Sequence, residues 1–452
     1  MKKSKLKLST THIILFSFFA AVLLGAVLLA LPISSATGEW TPFIDALFTS
    51  TTATCVTGLV VVPTFSSWST FGHIVILCLI QIGGLGVITV ISILSMMFHR
   101  KIGLSDRLLL QDAFNLNTLS GLSYFVKKVV LGTFLVEGIG ALIYMLVFVP
   151  EFGLKGIWIS IFTAISAFCN AGIDIIAPDS FAAYVHNPII NLTTCLLIFF
   201  SGIGYIVWWD VIRVLKQRKT RKIKILKALT LHSKIALTTT LILIFGGAFC
   251  IFLFEFNNPQ TMKAFTLYQK IQASFFQSVT TRTAGFFTIP QENLSNGSAL
   301  VSLLLMFIGG SPVGTAGGIK TVTITVIIVA AISAIKNKND VTMFNRTLSK
   351  EAVSKAVAVM CTSFFIMFIS TLLLSAVTDA SALDLLYETV SATATVGLSR
   401  NLTASLNMLG KIIIIATMYF GRVGPISLAV ALNLKKRNQN IIKNPVEDIS
   451  VG

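Results

Sequence analysis

Charge is what this 452-residue chain has least of: Asp, Glu, Lys and Arg together make up 12% of it, about half the share of an ordinary soluble domain. So few ionic groups cannot cover the surface of a water-soluble fold of this length. Acids are scarcer still, 18 against 35 bases. Cysteine is limited to six residues (Cys55, Cys78, Cys169, Cys195, Cys250, Cys361) without CxxC or paired spacing, which excludes a disulfide framework and a thiolate metal site. The five histidines (His12, His73, His99, His186, His232) are scattered near expected membrane boundaries. No HExxH, GxSxG or DDxxD cluster occurs, so a polytopic membrane enzyme lacks its chemistry; no Walker motif or strand-borne GxGxxG occurs, so nucleotide is not bound by this chain.

What remains is apolar. Hydrophobic residues make up 54% of the chain and the mean hydropathy is +0.85, the composition of a protein solvated by a bilayer. The uncharged run Ile13 to Leu31 follows Lys2, Lys3, Lys5 and Lys7. A signal peptide ending near Ser34-Ser35-Ala36 would look similar, but the run is longer than a typical h-region and further runs follow. Those lie at about 71–98, 129–149, 188–212, 235–254, 299–335, 356–377 and 405–434, giving an expectation of eight membrane-crossing helices in an all-α polytopic protein. Between odd and even spans lie four shorter apolar pieces, at 42–54, 157–168, 269–281 and 382–393. They are too short to cross and suit re-entrant helices.

Each short piece runs into a small-residue turn ending in glycine: Thr54-Cys55-Val56-Thr57-Gly58, Phe168-Cys169-Asn170-Ala171-Gly172, Thr281-Arg282-Thr283-Ala284-Gly285 and Thr393-Ala394-Thr395-Val396-Gly397. The glycines recur about every 113 residues, the mark of an internal repeat. The expected organisation is four units, 1–125, 126–228, 229–348 and 349–436, each reading span, half-helix, glycine turn, span, followed by a tail at 437–452. A dehydrated cation in a bilayer needs a ring of fixed oxygens, and four backbone loops could supply one. Glycine keeps side chains out of such a path. A single membrane glycine is more often a helix C-cap or a packing site; four at matched places point to an ion filter.

After the third turn, Gly309-Gly310-Ser311-Pro312-Val313-Gly314 and Gly317-Gly318-Ile319-Lys320 interrupt a long apolar stretch. Unwound backbone is expected there, acting either as a mobile plug or as a passive kink with close helix packing. Lys320 and Arg422 are cations within apolar segments, placed either on the conduction path and its gate or in structural ion pairs with Glu137 or Asp210. Arg282, inside the third turn, is expected to brace it from behind, since a guanidinium in a cation pore would oppose conduction. The weaker marks Gly83-Gly84-Leu85-Gly86, Gly202-Ile203-Gly204 and Gly421-Arg422-Val423-Gly424 read as helix-packing sites.

Most Lys and Arg residues fall in segments that share one side, including the cluster from Arg213 to Lys224. The positive-inside rule then makes both termini cytoplasmic in the cell membrane. That cluster reads as a membrane-surface, lipid-facing feature rather than a nucleic-acid site. On the outer side ten acids, Asp174 and Glu388 among them, face five bases, Lys155, Lys263, Lys270, Arg400 and Lys411, a balance that would gather cations.

These residues together resemble the Trk/Ktr/HKT superfamily of potassium transporters, and most closely the membrane subunits of bacterial Ktr systems (KtrB type). The resemblance covers essentially the whole chain. It rests on the four turns, on Gln81-Ile-Gly-Gly-Leu-Gly86, on the loop ending Ala316-Gly-Gly-Ile-Lys320 and on Phe420-Gly-Arg-Val-Gly-Pro425. Thr395-Val396-Gly397 also resembles the core of a potassium-channel filter. The resemblance implies four helix, pore-helix, helix units around one pseudo-fourfold pore, with potassium held by filter carbonyls and the loop from Gly309 to Lys320 as an intramembrane gate facing Arg422. It further implies a homodimer on a cytoplasmic ring of nucleotide-binding regulatory subunits, with sodium open as a coupling or activating ion. Ser311-Pro312 and the many glycines of the loop depart from the family pattern, as do Cys55 and Cys169 at matching turn positions. Another monovalent cation is the alternative cargo.

Overall fold

The computed structural model describes residues 10–87, 89, 90, 92, 122–177, 179–220, 225–338 and 340–424. Within them one unit recurs four times: a long helix, a short buried helix, a turn and a shorter second helix. The first contains α1 (Thr10–Ala30), α2 (Phe43–Cys55) and α3 (Thr70–Leu85); the second contains α4 (Leu122–Phe152), α5 (Lys155–Cys169), α6 (Pro188–Gly202) and α7 (Tyr205–Thr220). The third contains α8 (Leu231–Glu255), α9 (Leu267–Thr280), α10 (Asn296–Phe307) and α11 (Thr321–Ile335). A two-stranded hairpin, β1 (Thr342–Met343) and β2 (Arg346–Thr347), leads to α12 (Lys350–Ser375), α13 (Ala382–Ala394) and α14 (Met408–Val423).

The helices α1, α4, α8 and α12 are long and apolar enough to cross a bilayer. Their outer faces carry large exposed apolar side chains, among them Leu131, Leu142, Ile242 and Phe365, which only a hydrocarbon surrounding tolerates in such density. Each packs along the short helix that follows it. Those short helices are the buried centre. Phe48, Phe162, Phe276 and Tyr387 are at most 1% exposed, and the polar Thr51, Thr52, Ser166, Ser278 and Ser391 are equally enclosed.

The second helix of every unit starts from a side-chain cap: Ser69 accepts from Gly72 N, Asn187 from Ile189 N and Ile190 N, Ser295 from Ser298 N, and Asn407 from Gly410 N. These caps satisfy amides of the first helical turn that have no partner within the helix.

The second helices of the units are interrupted by breaks. Where 188–212 was expected to be one helix, α6 and α7 meet at 94° across Gly204, whose φ is +86°. Helix α3 stops before Gly86 (φ +86°) and α14 before Gly424 (φ +95°). The stretch 299–335 divides into α10 and α11 around an irregular loop. Glycine in left-handed backbone ends a helix at low cost, so the glycine marks read as packing sites are helix breaks as well. Gly83, Gly84 and Gly421 do pack: a Cβ on them would collide with Thr54 O, Cys169 Sγ and Thr393 O. The remainder of the expected spans at 71–98 and 405–434 lies outside the described residues.

Candidate ion pathway

Helices α2, α5 and α13 end alike. Val56, Asn170 and Thr395 take left-handed φ of 56°, 61° and 51°. Val56 N donates to Ala53 O and Thr57 N to Thr52 O; Asn170 N and Ala171 N, and Thr395 N and Val396 N, repeat the pair on their own helices. This is the Schellman closure. Helix α9 ends earlier, with Thr281 still right-handed, and places Thr283 (φ 71°) in the equivalent position. The left-handed residue therefore always stands two before the glycine, and the glycines are left-handed too, at 101°, 62°, 87° and 98°. For the β-branched Val56, Thr283 and Thr395 this costs on the order of 1 kcal/mol each. Left-handed backbone held in register four times, and strained at three of them, is the kind of outlier that marks a working site.

The four turns close into a ring. A Cβ on Gly58 would collide with Ala171 O, one on Gly172 with Ala284 O, one on Gly285 with Val396 O, and one on Gly397 with Thr57 O. Each glycine thus abuts the carbonyl before the next glycine, and the cycle returns to its start. Hydroxyls of the short helices brace the turns: Thr52 Oγ1 accepts from Gly58 N at 2.9 Å, Ser391 Oγ from Gly397 N at 3.0 Å, and Ser166 Oγ from Ile173 N at 3.1 Å. Thr280 Oγ1 donates to Phe286 O in the third turn. The Thr281 hydroxyl is tied to Ser278 O. By contrast, Thr54, Thr57, Thr393 and Thr395 have buried hydroxyl oxygens with no hydrogen-bond partner among the described residues. Phe168 packs edge-on to Trp208, and Cys55, Cys169, Ala171, Ala284, Ala394 and Val396 are buried around the ring. Cys169 Sγ is 3.7 Å from Gln81 Oε1 and Glu137 Oε1.

The Gly-rich loop lies against one face of this ring. Its amides find partners despite the lack of helix: Ser311 N donates to Gly202 O (2.7 Å), Gly317 N to Thr283 Oγ1 (3.1 Å), Ile319 N to Phe307 O (3.1 Å) and Thr321 N to Gly310 O (2.9 Å). Ser311 Oγ meets Thr321 Oγ1, and Thr315 Oγ1 donates to Phe168 O and receives Asn170 Nδ2. Side chains would not fit here: a Cβ on Gly309 would meet Gly317 O, one on Gly310 the Ala316 methyl, one on Gly314 Ser201 O, and one on Gly317 Ala394 O and Thr395 Oγ1. Pro312 O crowds Gly204, and Gly318 is left-handed at +64°. The loop thus touches the second, third and fourth turns at once.

The cations hold this loop by its backbone. Arg282 Nη2 donates to Gly309 O at 2.7 Å, bracing the third turn through a main-chain carbonyl. Arg422 donates to Thr315 O (2.7 Å) and Gly83 O (2.6 Å), and Lys320 Nζ to Ala316 O (2.6 Å). The alternative of ion pairs with Glu137 or Asp210 does not hold. Glu137 accepts from Gln81 Nε2, and Asp210 is taken by Arg213 and Thr230. Packing keeps those acids on other helices, leaving carbonyls as the nearest acceptors.

Two cavities flank the ring. One, of about 380 Å³, is lined by Lys320, Arg422, Thr393, Ala394 and the loop. The other, of about 170 Å³, has all four ring glycines in its floor and Asp174, Glu292, Ser399 and Thr403 in its wall. Burial pushes the Asp174 carboxyl up to about 6, against hydrogen bonds from Ser180 and from the Ile176 and Ala177 amides. Of the ten outer acids, Asp45 is paired with Lys411 and Asp384 with Arg400. Sequence reasoning missed the bracing hydroxyls; their signal was a Thr or Ser six residues before three of the glycines, at Thr52, Ser166 and Ser391.

Bilayer-length apolar helices around a ring of glycine backbone, with a cavity on either side, define the architecture of a membrane protein that moves a cation. The chain belongs to the TrkH family of cation transport proteins, whose family model matches residues 2–443. It is 40% identical over 442 residues to the Ktr system potassium uptake protein B of Bacillus subtilis, covering 98% of this chain and 96% of that one. It is 37% identical over 457 residues to the potassium/sodium uptake protein NtpJ of Enterococcus hirae, covering 100% and 99%. The crystal structure of the potassium transporter TrkH from Vibrio parahaemolyticus has the same fold, with a TM-score of 0.76 over 96% of this chain and 87% of that one at 16% identity. The chain is therefore a membrane cation transporter and not an enzyme.

Proposed function

We propose that this chain takes up potassium as the ion-translocating subunit of a Ktr-type system. The observation that carries the reading is the closed cycle of the four glycine turns, each glycine against the carbonyl before the next. Thr54 to Gly58, Phe168 to Gly172, Thr281 to Gly285 and Thr393 to Gly397 form the filter, and potassium exchanges its hydration for their oxygens. The loop from Gly309 to Lys320 is the gate, held by Arg422 beneath the filter. The smaller cavity is the external vestibule and the larger opens toward the cytoplasm, where both termini lie. The protein works as a homodimer, and a cytoplasmic ring of nucleotide-binding subunits sets the gate. Sodium is a second reading for the coupled or transported ion, favoured by the potassium/sodium designation of the Enterococcus hirae relative.

Rubidium uptake into potassium-uptake-deficient bacteria tests the proposal. At matched membrane expression, Gly58→Asp and Gly397→Asp should abolish selective uptake that the unaltered chain supports. Equal uptake in all three would remove the filter from these turns.

A further inference from the structure

Glu388 lies on α13, nine residues before Gly397, and is fully enclosed. The matching positions before the other ring glycines are Thr49, Thr163 and Phe276, so a carboxylate backs one turn of the four. Among the described residues Glu388 has no ion pair. Both its oxygens accept hydroxyl protons, Oε2 from Ser399 Oγ at 2.6 Å and Oε1 from Thr403 Oγ1. Ser399 and Thr403 belong to the segment that follows the fourth turn, and both line the vestibule above the ring.

The two hydroxyls differ in what they have left. Ser399 Oγ also accepts from the amides of Leu402 and Thr403, which fills it. Thr403 Oγ1 gives its proton to Glu388 and receives no donor among the described residues, so its lone pairs remain available at the vestibule wall. A hydroxyl whose proton is fixed on a carboxylate presents only acceptor character to anything else it meets. The cation of the same segment is turned away: Arg400 Nε donates to Asp384 Oδ1 and its Nη1 to the carbonyls of Gln291 and Leu294. The segment thus brings a carboxyl group behind the vestibule wall and withdraws its positive charge from it.

We infer that Glu388 is a specificity-determining positioning residue for cation entry: it fixes the Thr403 hydroxyl as an acceptor at the vestibule, forming a site where a monovalent cation sheds part of its hydration before the glycine ring. Glu388 acts through Thr403 and does not touch the ion. The inference rests on the pore reading, which it deepens. It predicts an effect on apparent affinity rather than on turnover, because the site lies before the ring and the gate.

The test is rubidium uptake as a function of external rubidium by the full chain in potassium-uptake-deficient bacteria, with membrane abundance measured for each variant. Glu388→Gln and Thr403→Val should each raise KM about fivefold with Vmax within about twofold, and the double variant should be no worse than either, since both remove one interaction. Glu388→Asp should recover part of the affinity. If Glu388→Gln leaves KM unchanged while Gly397→Asp abolishes uptake, the inference fails and the pore reading stands. If Thr403→Val leaves KM unchanged and Glu388→Gln lowers abundance and Vmax together, Glu388 is a packing residue and the inference also fails. Absence of uptake by the unaltered chain would sink both.

Discussion

At the scale of single residues, the four glycines were legible because their spacing repeats and because nothing larger follows a re-entrant-length apolar piece so regularly. Their neighbours in space were not. That Gly58 abuts Ala171 and Gly397 abuts Thr57 is a long-range contact, and local sequence carries no trace of it. Gly58→Ala combines a φ of +101° with a collision against a carbonyl, so rubidium uptake should fall at least about tenfold at matched abundance. Asp174 supplies a pH dependence. Its carboxyl, raised to about 6 by burial, is charged above that value and neutral below it, so the cavity over the ring glycines loses one negative charge as pH falls from 7.5 to 5. Uptake at low potassium should weaken over that range, and Asp174→Asn should start weaker and lose the dependence. The measurement is initial uptake rate against external pH.

At the scale of elements, short helices proved easier to read than spans. The pieces expected at 42–54, 157–168, 269–281 and 382–393 coincide within a few residues with α2, α5, α9 and α13, since their length and their small-residue ends set both limits. The breaks inside the even spans were not legible because hydropathy is blind to φ: Gly204 lets α6 turn through 94° into α7 without any drop in apolar character. The loop between α10 and α11 was legible as irregular from its glycines and Pro312, whereas its tethers were not. Arg422 ties Thr315 O to Gly83 O. Arg422→Gln should release one attachment and raise rubidium flux in the absence of a regulatory ring by about three- to tenfold. A flux below that of the unaltered chain would make Arg422 a support of the pore rather than a restraint on the loop.

At the scale of the whole molecule, the units are joined by different chemistry at each seam. Gln81 and Glu137 join the first to the second; the stacked rings of Phe181 and Phe286, 4.8 Å apart, join the second to the third; Gln291, Tyr387 and Arg400 join the third to the fourth. The last seam, fourth to first, carries the Lys411 to Asp45 ion pair at 2.5 Å, with side chains 17% and 15% exposed. Removing one partner of a pair so enclosed costs more than doing so at the surface, because it strands a desolvated charge. Lys411→Met should lower stability by about 1–2 kcal/mol, and Asp45→Asn added to it should restore part of the loss, as read from thermal unfolding in detergent. The cyclic contact of the glycines also has a consequence for biosynthesis. Since Gly397 must meet Thr57 for the ring to close, the first turn waits in the membrane, its strained Val56 unsupported on one side, until the fourth unit has been threaded in. A chain that stops before α13 lacks Gly397 and so holds three of the four glycines as an arc that cannot close.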